Sequence, residues 1–150
     1  MASFDKYLSI FFRDLTTFGG AIFYAFIVLL AFAFNQTTLA IDLILGFIIS
    51  LAIVVPIRLL YFKNRPKKQE YSNFLERIDA ASFPSWHTAR IVFMALTGIF
   101  YFNNPFLTII SSILAVLVCY SRIYLQKHDW RDVLGGFTLA GVTYWIINLI

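Results

Sequence analysis

The chain has 150 residues, 60% of them hydrophobic and only 13% charged, with a mean hydropathy of +0.77 and 17 phenylalanines. That composition excludes an ordinary soluble domain and points to lipid as the solvent, and the length fits one domain over residues 1–150. The net charge of +4 suits an anionic membrane surface or a phosphorylated ligand, whereas a nucleic-acid partner is excluded because it needs basic residues on an extended solvated face. A single cysteine, Cys119, rules out an intrachain disulfide and a thiolate metal cluster, and it reads as a small buried hydrophobe.

Residues 3–15 mix Phe4, Tyr7, Leu8, Phe11, Phe12 and Leu15 with Asp5, Lys6, Arg13 and Asp14. The segment is too polar and short to span a bilayer and predicts an interfacial helix. It lacks the cleavage pattern of a signal peptide, so it is expected to be retained. Apolar runs follow at Thr17–Phe34, Leu39–Leu60, Thr88–Phe102, Pro105–Tyr120 and Val133–Ile150. None shows the alternation of a membrane barrel, so the expected fold is an all-α integral membrane bundle of about five transmembrane helices plus the interfacial helix. The third and fourth runs are short and are joined by a predicted tight turn at Asn103-Asn104-Pro105. Residues 63–83 form the longest polar segment, held by Pro66 near its start and closed by Pro84, and are expected to cap one membrane face.

Threading five spans back and forth puts the amino terminus, residues 63–83 and residues 121–132 on one face. All lysines and arginines are expected there, while the opposite connections carry only Asp42. Three polar clusters share the charged face: Arg58 with Arg65-Pro66, then Pro84-Ser85-Trp86-His87, then Ser121-Arg122 with His128 and Asp132. If the second span continues as a helix, Arg58 and Arg65 lie on one side of it about 10 Å apart. Guanidinium forks match phosphate oxygens, though each arginine taken alone also fits a snorkelling anchor. His87 and His128 are the only histidines. One imidazole can attack phosphorus while the other protonates the leaving oxygen. Asp132, four residues after His128, is placed to orient a neutral imidazole, or alternatively to cap the fifth span.

The spacing Arg58, six residues, Arg65-Pro66; Pro84-Ser85-Trp86-His87; Ser121-Arg122, five residues, His128, three residues, Asp132 resembles the three-part signature of the type 2 phosphatidic acid phosphatase family, which shares its site with vanadium haloperoxidases. The resemblance runs from about the second span to the fifth. It implies a lipid phosphatase in which His128 is the nucleophile, Asp132 supports it, and His87 protonates the departing lipid oxygen. It further implies that Arg58, Arg65, Ser85, Trp86 and Arg122 hold the phosphate, with Pro66, Pro84 and Ser121 in support and neither metal nor cofactor. The chain departs from the family pattern at Arg58, where lysine is usual, and at Trp86, where glycine is usual. Trp86 keeps a backbone N–H for phosphate, and its indole is expected at the membrane interface, against lipid. The family also commonly has six spans.

A polyprenyl diphosphate is the leading substrate expectation, because so compact a chain has little extramembrane structure for reading a large head group. Phosphatidate and phosphatidylglycerophosphate are the alternatives. The expected location is the cell membrane. Family resemblance implies a site on the extracytoplasmic side, whereas the surplus of lysine and arginine points the same face to the cytoplasm. A rival reading is a small anion-binding or transport protein with a proton relay through His87, His128 and Asp132. It predicts charged groups at the bilayer midplane, and the candidate residues instead fall at span ends.

Overall fold

The computed structural model describes residues 2–150. Its elements in chain order are α1 (Ala2–Leu15), a 3₁₀ turn (Thr16–Gly19), α2 (Ala21–Ala33), α3 (Thr37–Leu60), α4 (Phe74–Ala80), α5 (Trp86–Phe102), α6 (Pro105–Tyr124) and α7 (Trp130–Ile147). The expected all-α membrane bundle is what forms, with no strand among the described residues. Along α1, Phe4, Tyr7 and Phe11 lie three and four residues apart and all are exposed, so the helix carries an outward apolar stripe. Its other side is pinned to α6: the Phe12 ring lies 4.5 Å from that of Tyr124 and 5.4 Å from that of Tyr120. An outward apolar stripe suits a helix at a membrane surface, the place expected for this segment.

The five expected spans correspond to α2, α3, α5, α6 and α7, but they are unequal. Only α3, with 24 residues, and α6, with 20, are long and apolar enough to cross a membrane on their own. The 13 residues of α2 reach that length only together with the preceding segment, across a 49° bend. The bend falls at Gly20, which is extended (φ −75°, ψ 158°) and returns its N–H to the Thr17 carbonyl at 2.8 Å. The 17 residues of α5 rise about 26 Å, close to the hydrocarbon thickness.

Helix α5 is the hub, packing on α3, α6 and α7. Ile91, Val92 and Phe93 lie in a core shared with Tyr24, Leu39, Ala40, Leu43, Ala115, Val118 and Ala140. Lipid covers the rest: Ile22, Leu29, Phe106, Val116, Phe137 and Trp145 are more than half exposed. The predicted turn between α5 and α6 is present. Asn103 ends α5 in the left-handed region (φ 45°), and the Asn104 side chain accepts from the amides of Phe106 and Leu107 to start α6 behind Pro105.

Two glycines set how closely the helices approach the end where the polar clusters meet. A Cβ on Gly136 of α7 would overlap the Ser85 carbonyl and lie 2.8 Å from Thr88 Cβ. One on Gly19 would lie 3.0 Å from the His87 carbonyl and 3.1 Å from Val118. The absence of side chains there lets α7 and the 3₁₀ turn close on the start of α5.

Candidate active site

The second cluster builds the first turn of α5. Ser85 is its N-cap, the hydroxyl accepting from the Thr88 amide at 3.4 Å and from the Thr88 hydroxyl at 3.0 Å. Ser85 is fully buried and its own N–H donates to the Asp132 carbonyl at 2.9 Å. Its hydroxyl, expected on phosphate, accepts these two bonds at the start of the helix and keeps its own proton to donate. The amides of Trp86 and His87, at the first two helical positions, keep no acceptor among the described residues. A helix N-terminus with free amides is an anion site.

The first cluster does not lie along one helix. α3 ends at Leu60, so Arg65 stands in the following loop and the expected helical repeat from Arg58 is absent. Both arginines instead gather backbone carbonyls around the end of α4. Arg58 donates to the carbonyls of Ile78 and Pro84, each at 3.0 Å. Arg65 donates to the Asp79 carbonyl and to Gln69 Oε1. Arginine is suited to this, since its five donors can satisfy carbonyls and still present others. Pro84 is buried, with its carbonyl held by Arg58 and the Phe83-Pro84 bond cis. Pro66 is exposed at the loop surface.

The third cluster folds the chain back over the end of α6. The Arg122 carbonyl accepts from the amides of both Lys127 and His128 at 3.1 Å. That places His128, 2% exposed, above the helix end. Ser121 is buried and turns its hydroxyl into the Val118 carbonyl at 2.6 Å, so it serves the helix. Arg122 Nη1 donates to the Thr16 hydroxyl at 2.8 Å, bringing the amino-terminal segment into the site.

Asp132 combines the two roles weighed from the sequence. Asp129 caps α7, and Asp132 completes a capping box by accepting from the Asp129 amide at 3.0 Å. The same oxygen, Oδ2, faces His128 Nδ1 at 3.6 Å. That separation is just longer than a hydrogen bond, so Asp132 orients the ring electrostatically and leaves Nε2 free. Burial pushes the His128 imidazole well below the ordinary histidine value, to about 4; Asp132 opposes the shift and the charges of Arg122 and Arg65 add to it. His128 is therefore neutral at physiological pH. His87, half-buried at the start of α5, lies within electrostatic range of His128, Arg122, Arg90 and Arg65. The three clusters thus converge as the sequence implied.

Three contributors escaped the sequence reading. Lys63 Nζ bridges Asp129 Oδ2 at 2.6 Å and Asp132 Oδ1 at 2.7 Å. Burial works against its ammonium, but those two hydrogen bonds outweigh it and raise its pKa. Thr16 meets Arg122. Arg90 is 5% exposed inside the third span, where no site residue was expected, with Nη2 3.4 Å from His87 Nδ1. The signal for Arg90 was present: an arginine three residues after a motif histidine, in an apolar run.

Trp86 differs from expectation as well. Its indole turns inward, with the ring 5.4 Å from that of Phe47 and Nε1 donating to Ser50 at 3.4 Å. The Arg90 guanidinium lies 4.7 Å from the Trp86 ring centre. Beside Phe47, an apolar groove of about 450 Å³ runs between α2 and α3, lined by Tyr24, Val28, Leu29, Ile44 and Ile48.

Residues 40–150 match the sequence profile of the PAP2 superfamily. Phosphatidylglycerophosphatase B of Bacillus subtilis strain 168 is 37% identical over 76 residues, covering 45% of this chain and 37% of that protein. The chain thus spans little more than a third of the length of this relative in the aligned region. LpxE of Aquifex aeolicus superposes with a TM-score of 0.80 over 95% of this chain and 86% of that one, at 24% identity. The transmembrane PAP2-type phosphatidylglycerolphosphate phosphatase of B. subtilis gives 0.77 over 95% and 75%, at 22% identity. At such identities the superpositions establish a common fold. With the profile running from α3 to the end of α7 and taking in all three polar clusters, the chain belongs to the PAP2 superfamily.

Proposed function

We propose that the protein is a metal-independent lipid phosphatase that converts a polyprenyl diphosphate to its monophosphate through a phosphohistidine on His128. The observation that carries this reading is the pairing of a buried, neutral His128 with Asp132 on its Nδ1 side, 3.6 Å away. Nε2 then has a lone pair for phosphorus. As the N–P bond forms and the ring gains charge, the Asp132 carboxylate stabilises it. The bond from phosphorus to the leaving oxygen breaks, and His87 supplies the proton to that oxygen. Charge on the equatorial oxygens is met by Arg122, Arg65 and the free amides at the start of α5, which together supply what a divalent ion would otherwise provide. Water, deprotonated by His87, then releases phosphate from His128 and restores both imidazoles.

The apolar groove between α2 and α3 supports a substrate with a long hydrocarbon tail, since Phe47 links its lining to Trp86 at the site. A second reading, hydrolysis of phosphatidylglycerophosphate or phosphatidate, draws on the 37% identity to phosphatidylglycerophosphatase B. Both readings place the protein in a cell membrane, crossing it several times, with 1–150 as one domain.

The test uses purified protein in detergent with excess chelator. Phosphate release from farnesyl diphosphate is expected to exceed release from phosphatidylglycerophosphate and phosphatidate. Faster release from either phospholipid favours the second reading, and no release from any of the three overturns both.

A further inference from the structure

Arg90 has no place in the three motifs, yet it is buried and its guanidinium lies against the proposed acid. Its guanidinium is held between the Trp86 ring, 4.7 Å away, and His87 Nδ1, 3.4 Å from Nη2. Guanidinium only donates, so a neutral His87 accepts at Nδ1 and then carries its proton on Nε2. Arg90 Nη1 and the buried Nε have no acceptor among the described residues. Among the described residues no carboxylate lies within ion-pair distance of Arg90, Arg58 or Arg122; Lys63 takes up both Asp129 and Asp132. Buried guanidinium groups without a counter-ion are costly, and a multiply charged anion in the site removes that cost.

Position along α5 says which anion. Trp86 and His87 form its first turn, and Arg90 lies three residues on, about 4.5 Å deeper along the axis. Helical side chains lean back toward the N-terminus, so Arg90 reaches up toward His87 from the hydrocarbon side. A lipid diphosphate entering tail-inward has its terminal phosphorus at His128 and its proximal phosphate deeper, next to the residue that faces the leaving oxygen.

We infer that Arg90 binds the proximal phosphate of a lipid diphosphate and thereby selects diphosphates over phosphomonoesters. This rests on His128 being the nucleophile, as proposed above. When His128 Nε2 attacks the terminal phosphorus, the P–O bond to the bridging oxygen breaks and its electron pair stays with the proximal phosphate. That leaving group is a stable anion, so Arg90 stabilises it whether or not His87 has yielded its proton. A phosphomonoester leaves as an alcohol, which needs the His87 proton and gives Arg90 nothing to bind.

The experiment compares farnesyl diphosphate with farnesyl monophosphate, which share one tail, on wild type, Arg90→Gln and Arg90→Lys. In Arg90→Gln, kcat/KM for the diphosphate is expected to fall on the order of 10²-fold, and for the monophosphate by less than about threefold. Arg90→Lys, which keeps the charge and loses the fork, is expected to fall between wild type and Gln on the diphosphate alone, and it carries the test if Gln does not fold. His87→Ala is expected to impair the monophosphate more than the diphosphate. Equal losses on the two substrates in both Arg90 variants, or no loss on either, overturn the role of Arg90 while leaving the phosphatase reading standing. Wild type inactive on both substrates overturns the two together.

Discussion

Lys63 Nζ lies 2.7 Å from Asp132 Oδ1, on the opposite side of the carboxylate from His128. Asp132 is thereby clamped: one oxygen belongs to a lysine from the loop after α3, the other to the Asp129 amide and His128 Nδ1. A carboxylate so held has one orientation to offer the imidazole. Lys63→Met should leave the capping box intact and let the carboxylate rotate. Loss of such an outer partner typically costs about 10–100-fold in activity. That loss in steady-state kinetics, accompanied by a lowered melting temperature because the fully buried Asp132 carboxylate loses its cation, is the expected result.

Asp132→Asn keeps the shape and removes the charge proposed to stabilise a phosphorylated, positively charged His128. A drop in kcat on the order of 10⁴-fold is expected, as for the corresponding change in a catalytic triad. His128→Ala should abolish the base-stable, acid-labile adduct seen on brief mixing with labelled substrate. Label retained by His128→Ala would move the nucleophile elsewhere.

The pH dependence follows from the burial of His128. Its value in the fold is about 4, against 6.5 for a free histidine, so the neutral form is the one the fold favours. Between pH 6.5 and 4 the unfolded chain binds a proton at this residue that the folded chain does not, so stability falls as pH is lowered through that window. The acid limb of kcat/KM, which reports the free enzyme, is expected near pH 4. A limb at 6.5 would show that the ring is not desolvated as described.

Gly136→Ala introduces a methyl group into the contact between α7 and the first turn of α5, against the Ser85 carbonyl and Thr88. Neither the N-cap backbone nor a fully buried threonine can yield readily. Overpacking of this kind costs about 1–3 kcal/mol. A lowered melting temperature, accompanied by weaker vanadate inhibition, is expected because the free amides of Trp86 and His87 move with the helix start.

Trp86→Gly restores the residue usual in the family and retains the backbone N–H. Phosphate affinity should persist, measured as vanadate inhibition. The protein should lose about 2–4 kcal/mol of stability, because the indole packs on Phe47 and carries the Arg90 guanidinium on its face.

Much of this was legible in the sequence because lipid restricts the options: apolar runs have to be helices, and polar residues have to gather at the faces. The positions of His87, His128, Asp132 and Arg122 follow from motif spacing and helix boundaries. What spacing does not reveal is which partner a long side chain chooses. Arg58 and Arg65 read as free phosphate forks, yet each spends donors on carbonyls around α4, a seven-residue helix too short for its apolar spacing to announce it. Lys63 read as an unassigned surface charge, because its partners are 66 and 69 residues away. Trp86 read as an interfacial residue, and only the placement of Phe47 and Ser50 on α3 turns it inward.

The hydrogen bond from Arg122 to Thr16 joins the candidate site to a part of the chain that lies before the family match. Thr16 opens the 3₁₀ turn, and α1 immediately before it rests on Tyr120 and Tyr124 of α6, the helix that carries Arg122. The surface helix, the turn and the arginine therefore form a closed mechanical loop. The tilt of α1 and the placement of the Arg122 guanidinium are not independent variables, and a change at the amino-terminal helix is transmitted to the end of α6.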